Sequence, residues 1–116
     1  MKLTDLHPQF LKRDSDTNWH NVDAISEADG IIFLCPKCFE HNGGKVGTHS
    51  VICWAPSVPQ TTSPKPGRWN LVGTGYGDLS LRAGSSSVLL NGRCWEGKGG
   101  EGWHGFITNG EATCLV

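Results

Sequence analysis

Apolar residues in this chain come in short runs broken by glycine and proline, and most runs carry the period of strands. Ile31, Ile32, Phe33 and Leu34 form a continuous run that reads as a buried strand. Residues 49–54 read as a second strand, with Ser50, Ile52 and Trp54 on one face and His49, Val51 and Cys53 on the other. Residues 68–72, 78–82 and 87–90 are further strand candidates, the last closed by the turn pair Asn91-Gly92. Residues 103–108 and 111–115 flank Asn109-Gly110, which predicts a terminal hairpin. One short helix is expected within residues 19–28. There Val22, Ile25 and Ala28 fall at helical spacing, Asn21 or Asp23 offers a cap, and Gly30 offers a stop.

Residues 1–18 are polar and mixed and read as an N-terminal arm with one apolar anchor, Phe10-Leu11. Residues 19–116 then form a single domain, as expected for a chain of 116 residues. The fold class predicted is mainly β, a small α+β domain of antiparallel strands and hairpins with one short helix. Five Trp and four Phe must supply much of the core, because Met and Tyr occur once each. The loop 55–67, with four prolines, and the glycine-rich insert 95–102 are the best candidates for a partner-binding surface.

Charge narrows the function classes. Ten basic and eleven acidic residues give a net charge of −1, which argues against a nucleic-acid module, whose binding needs a basic surface. The N-terminus lacks the apolar stretch of a signal peptide, and no run is long enough to span a membrane. A soluble cytoplasmic protein is expected. Five cysteines, two of them spaced C-x-x-C, favour metal over disulfides in a reducing compartment.

Cys35-Pro36-Lys37-Cys38 follows the apolar run directly and precedes Gly43-Gly44, which reads as a zinc knuckle presenting two thiolates on one tight turn. That is half of a tetrahedral site. The remaining candidates are His41, His49, Cys53, Cys94, His104 and Cys114. His41 would force three ligands onto one short turn, and its polar setting suits a solvated loop histidine. His49 and Cys53 share a strand face two pleats apart, roughly 13 Å, so at most one of them is a ligand. Cys53 and Cys114 lie in apolar strands, where a cysteine is more often a small core residue. Cys94 and His104 are better placed, because the glycine insert between them lets the two approach. A redox role for the C-x-x-C pair needs a helix N-terminus to depress a thiol pKa, which Pro36-Lys37 before a glycine-rich loop does not suggest.

Five stretches, residues 28–39, 47–54, 66–69, 87–92 and 103–111 with its Trp103-His104-Gly105-Phe106, together resemble an uncharacterised family of small phage and prophage proteins. The resemblance spans about residues 22–112. It implies that Cys35, Cys38, Cys94 and His104 bind zinc. This chain departs from the family pattern by interposing Trp95 to Gly102 between Cys94 and His104.

Four protein ligands would leave no position for a zinc-bound water, which favours a structural ion. The H-E-x-x-H and G-x-S-x-G patterns are absent. Gly73-Thr74-Gly75-Tyr76-Gly77 mimics a phosphate loop but lacks the Lys and Ser/Thr that should follow. The function expected is therefore a noncatalytic zinc-binding phage or prophage protein that binds a protein partner. A zinc hydrolase, peptidase-like by family analogy, is the alternative, and a nucleic-acid-binding zinc module the weaker one.

Overall fold

A computed structural model describes residues 1–62, 68–82, 88–89 and 104–114. The main sheet contains β1 (Gln9–Arg13), β2 (Trp19–Val22), β3 (Gly30–Leu34) and β4 (Ser50–Trp54), in the order β2-β1-β3-β4. Between β3 and β4 lies one α-helix, α1 (Pro36–Asn42). A two-stranded sheet pairs β5 (Asn70–Val72) with β6 (Ser80–Arg82). A three-stranded sheet orders β7 (Val88–Leu89), β8 (His104–Thr108) and β9 (Glu111–Cys114). Among the described residues all strand pairs are antiparallel and there is one α-helix, so the mainly β class is the class observed.

The helix is not where helical spacing suggested. Residues 19–22 form β2, and Ile25–Glu27 is a single 3-10 turn. Val22 and Ile25 nevertheless pack against one core cluster, because a strand end followed by a turn brings both inward just as a helix would. Gly30 opens β3 rather than ending a helix. It stands opposite Trp54, and a Cβ there would lie 2.6 Å from Trp54 Cε3 and 2.7 Å from the Cys53 carbonyl oxygen. Only a residue without a side chain fits beside that indole.

Strand alternation covers both sheet faces. Phe10, Ile31, Phe33, Val51 and Cys53 turn toward one cluster, which also takes Leu3, Leu6, Leu79, Leu81, Ile107 and Ala112. Leu11 and Trp54 turn the other way, onto Val58, with Ile32 and Ile52 beside them. Phe10 stacks on Tyr76 at 4.4 Å between ring centroids, and its N–H donates to the Tyr76 hydroxyl at 2.9 Å. The segment expected as an arm thus supplies a strand inside the main sheet, with Leu3 and Leu6 buried as well as the anchor Phe10-Leu11. It also clasps the C-terminal hairpin. Leu3 N–H donates to Gly110 O and Ala112 N–H to Met1 O, both at 2.8 Å.

The described part of the proline loop is ordered around one guanidinium. Arg68 donates to the carbonyl oxygens of Val58, Pro59 and Thr62, at 2.9, 2.6 and 2.8 Å. The predicted turn Asn91-Gly92 and the insert 95–102 lie outside the described residues. Among the described residues no helix is long and apolar enough to cross a membrane.

The terminal hairpin turns on Asn109 and Gly110, at φ 48° and 76°, the pair of positive values that a two-residue type I′ turn requires. At Gly110 an added Cβ would also overlap the Gly77 carbonyl, whereas Gly43, at φ 69°, has open space around it. Gly110→Ala should therefore cost about 1–3 kcal/mol, and Gly43→Ala less, because only the left-handed backbone penalty applies there. Denaturant unfolding of the two variants checks this, and equal losses would remove the Gly77 contact from the account.

Candidate metal centre

The centre is built where β3 runs into α1. Cys35 is the residue just before the helix, in an extended conformation, and Pro36 takes the first helical position, where its missing N–H costs nothing. Phe39 N–H donates to Cys35 O at 2.9 Å to close the first turn. Cys38 then lies one helical turn beyond Cys35, which brings both side chains to the same side. The helix stops at Gly43. Gly43 N–H donates to Glu40 O and Gly44 N–H to Phe39 O, the paired bonds of a Schellman motif. Thr48 braces the return, its hydroxyl donating to Gly44 O at 2.7 Å and its N–H to Lys45 O at 3.0 Å.

This return delivers His49. The β3–β4 ladder pairs Leu34 with Ser50, and one step further Cys35 N–H donates to His49 O at 2.9 Å. His49 Nδ1 stands 3.9 Å from Cys38 Sγ. One donor atom each from Cys35, Cys38 and His49 lies within 4.8 Å of the others. Tetrahedral zinc, with bonds near 2.0–2.3 Å, holds its ligand atoms roughly 3.5–3.8 Å apart, so small side-chain shifts would gather these three on one ion. Among the described residues this is the group of His, Cys, Asp and Glu side chains that could hold a metal ion.

Both cysteines are fully buried and His49 is half-buried. Burial lowers the His49 pKa, which favours the neutral ring, the form that ligates. Cys53 stays outside the group, as the two-pleat spacing requires. It is fully buried in the core, and desolvation raises its thiol pKa far above the usual range, so it remains protonated. His41 lies exposed in the last turn of α1 and is not in the group.

Of the four ligands expected, Cys35 and Cys38 meet in the centre. Cys94 lies outside the described residues, and His104 is placed only by its backbone, as the first residue of β8 opposite Leu89. His49, which spacing alone places behind His104 as a candidate, stands in the group. The signal that would have raised it is the pairing of the two apolar runs around the knuckle. If Ile31 pairs with Cys53, the same register carries Cys35 to His49. Contrary to the expectation for the C-x-x-C pair, a helix does begin at Pro36. What weighs against redox chemistry is instead the complete burial of both sulfurs, which closes them to a substrate disulfide.

The glycine turn at residues 73–77 is filled by the chain itself. The Asp78 carboxylate accepts from Thr74 N–H at 2.9 Å, Gly75 N–H at 3.0 Å and the Thr74 hydroxyl at 2.9 Å. The N–H groups of Thr74 and Gly75 are thus taken by the chain's own carboxylate, as in a structural turn. These bonds hold the Asp78 carboxyl below its ordinary value. A carboxyl lowered on folding stabilises the fold above its unfolded pKa, about 3.9, and loses that contribution as pH falls through the lower folded value. Asp78→Asn should be less stable than the parent at pH 7, with the gap closing as pH falls below the carboxylate range. Parallel unfolding curves from pH 7 to 2 would show this, and a gap that does not change with pH would exclude the ionised carboxylate as its cause.

No protein-family model, no curated protein and no solved structure matches this chain.

Proposed function

We propose that this is a zinc-binding protein of phage or prophage type in which the ion is structural, and that it works in the cytoplasm by binding another protein. The observation that carries the zinc is the burial of two cysteines inside the main core cluster with a half-buried histidine beside them. Two sulfurs and one imidazole nitrogen are soft and borderline donors, which suit zinc and do not suit magnesium or calcium. Two buried thiolates would carry a large desolvation cost unless a cation neutralised them. One position remains, which Cys94 or His104 would take on the family resemblance.

Support for a protein partner comes from the surface. Among the described residues β2 is an edge strand whose Trp19, His20 and Asn21 are exposed, and a sheet edge is a place where another chain can add a strand. Val46, at the tip of the turn between α1 and β4, is almost completely exposed.

A second reading, a zinc hydrolase, draws on the same centre. Cys2His is a ligand set that catalytic zinc uses when water takes the fourth position.

Metal analysis of the purified full chain should find one zinc per molecule. Cys35→Ser, Cys38→Ser and His49→Ala should each lower zinc affinity, and Cys53→Ser should leave the zinc content unchanged. Chelation should unfold the protein, because a structural zinc contributes on the order of 10 kcal/mol to folding. Circular dichroism with and without chelator checks this. An apo-protein that keeps its fold, with a coordinated water in the X-ray absorption spectrum of the zinc form, would replace the structural reading with the catalytic one.

A further inference from the structure

We propose that Asn42 is a site of spontaneous deamidation in the folded protein, and that its conversion to isoaspartate loosens the return that carries His49 to the metal centre. The second half rests on the zinc reading above and goes beyond it by naming a covalent change that regulates the centre.

The chemistry is local. Asn42-Gly43 and Asn109-Gly110 are Asn-Gly pairs within the described residues. In such a pair the glycine main-chain nitrogen attacks the asparagine side-chain amide carbon, and no Cβ on the glycine hinders the approach. The new N–C bond closes a five-membered succinimide. The asparagine amide nitrogen leaves as ammonia and takes the glycine N–H proton with it. Water then opens the ring at either carbonyl, giving aspartate or isoaspartate. In isoaspartate the main chain runs through the former side-chain carbonyl and gains one methylene. One water is consumed and one ammonia released, with no oxidant or reductant.

The fold treats the two pairs differently. Gly110 is buried, and its N–H donates to Leu79 O at 2.8 Å. Asn109 N–H donates to Ser80 Oγ at 2.9 Å, and Leu3 N–H donates to Gly110 O at 2.8 Å. Attack by the Gly110 nitrogen therefore requires the hairpin turn to part from Leu79, Ser80 and the N-terminal segment. Asn42 and Gly43 are instead exposed at the C-terminal end of α1. Gly43 N–H is shared between Phe39 O and Glu40 O, the latter at 3.3 Å, so its partners belong to the last turn of its own helix. A helix end frays at far less cost than a packed hairpin opens.

The consequence falls on His49. Asn42 Nδ2 donates to Thr48 Oγ1 at 3.2 Å, while the Thr48 hydroxyl donates to Gly44 O at 2.7 Å. Thr48 thus meets Asn42 as an acceptor, and a carboxylate has no N–H to offer it. The extra methylene of isoaspartate also displaces Gly43 from the turn that closes the helix. Thr48 precedes His49, whose carbonyl receives Cys35 N–H and whose Nδ1 faces Cys38 Sγ. The modification removes a brace directly behind one member of the group.

Peptide mapping by mass spectrometry of the zinc-loaded full chain, aged at mildly alkaline pH, tests the site. Asn42 should convert well ahead of Asn109, and in denaturant the two should convert at comparable rates. Conversion at Asn109 that keeps pace in the folded protein, no conversion at Asn42, or the same difference in denaturant would overturn the assignment. The isoaspartyl form, separated by ion exchange, should then bind zinc about tenfold more weakly than the parent, as loss of a support behind a ligand does. Asn42→Gln should resist ageing at this position and keep its zinc affinity. Parent-like affinity in the isoaspartyl form would overturn the coupling to the centre while leaving the zinc reading in place. An unmodified chain that binds no zinc would overturn that reading and the coupling together, with the site of deamidation still decided by the ageing rates.

Discussion

The antiparallel register of β3 and β4 is the constraint on which the rest of the structure depends. It sets Gly30 against Trp54 and Ile31 against Cys53, and carried past Leu34 and Ser50 it brings Cys35 to His49. A slip of one residue would exchange the two faces of β4, moving Val51 and Cys53 out of one cluster and Trp54 out of the other. Volume prevents that slip. The Trp54 side chain lies across Gly30, and a side chain at that position would collide with it. The same pairing that fills the core therefore brings the Cys35, Cys38 and His49 group together.

The centre sits in the apolar interior, and that location shapes its chemistry. Cys35 and Cys38 are fully buried and packed in the main cluster. The three side chains of the group come from a strand end, a helix and the residue before a second strand, so they meet only when the sheet is formed. The N-terminal segment contributes at a distance, holding the turn of the C-terminal hairpin through Met1 and Leu3 while its Phe10 and Leu11 join opposite faces of the main sheet.

Much of this was legible in the residues. The runs at 31–34 and 49–54 and the turn at Asn109-Gly110 appear as β3, β4 and the β8–β9 hairpin, because alternation and turn chemistry act locally. The pair Cys35 and Cys38 was legible for the same reason. Where local signals were ambiguous the reading failed. Val22 and Ile25 carry a helical spacing that a strand end and a 3-10 turn satisfy equally well, and residues 36–42 carry a helix that the glycines after it masked. Asp78 could not be seen as the group that fills the glycine turn, since its three hydrogen bonds exist only once the turn has closed.

The sequence by itself determined the strand-rich class, the dithiol knuckle and the exclusion of His49 and Cys53 as joint ligands, because each follows from spacing along a few residues. Only the tertiary structure placed His49, and not Cys53, beside Cys35 and Cys38. The choice depends on which residues of β4 stand across from β3, a contact between strands separated by a helix and a turn. The packing of β9 on α1 belongs to the same class of fact. Spacing reports distances along the chain, whereas a metal ion gathers donors across it, and the fold alone supplies that second set of distances.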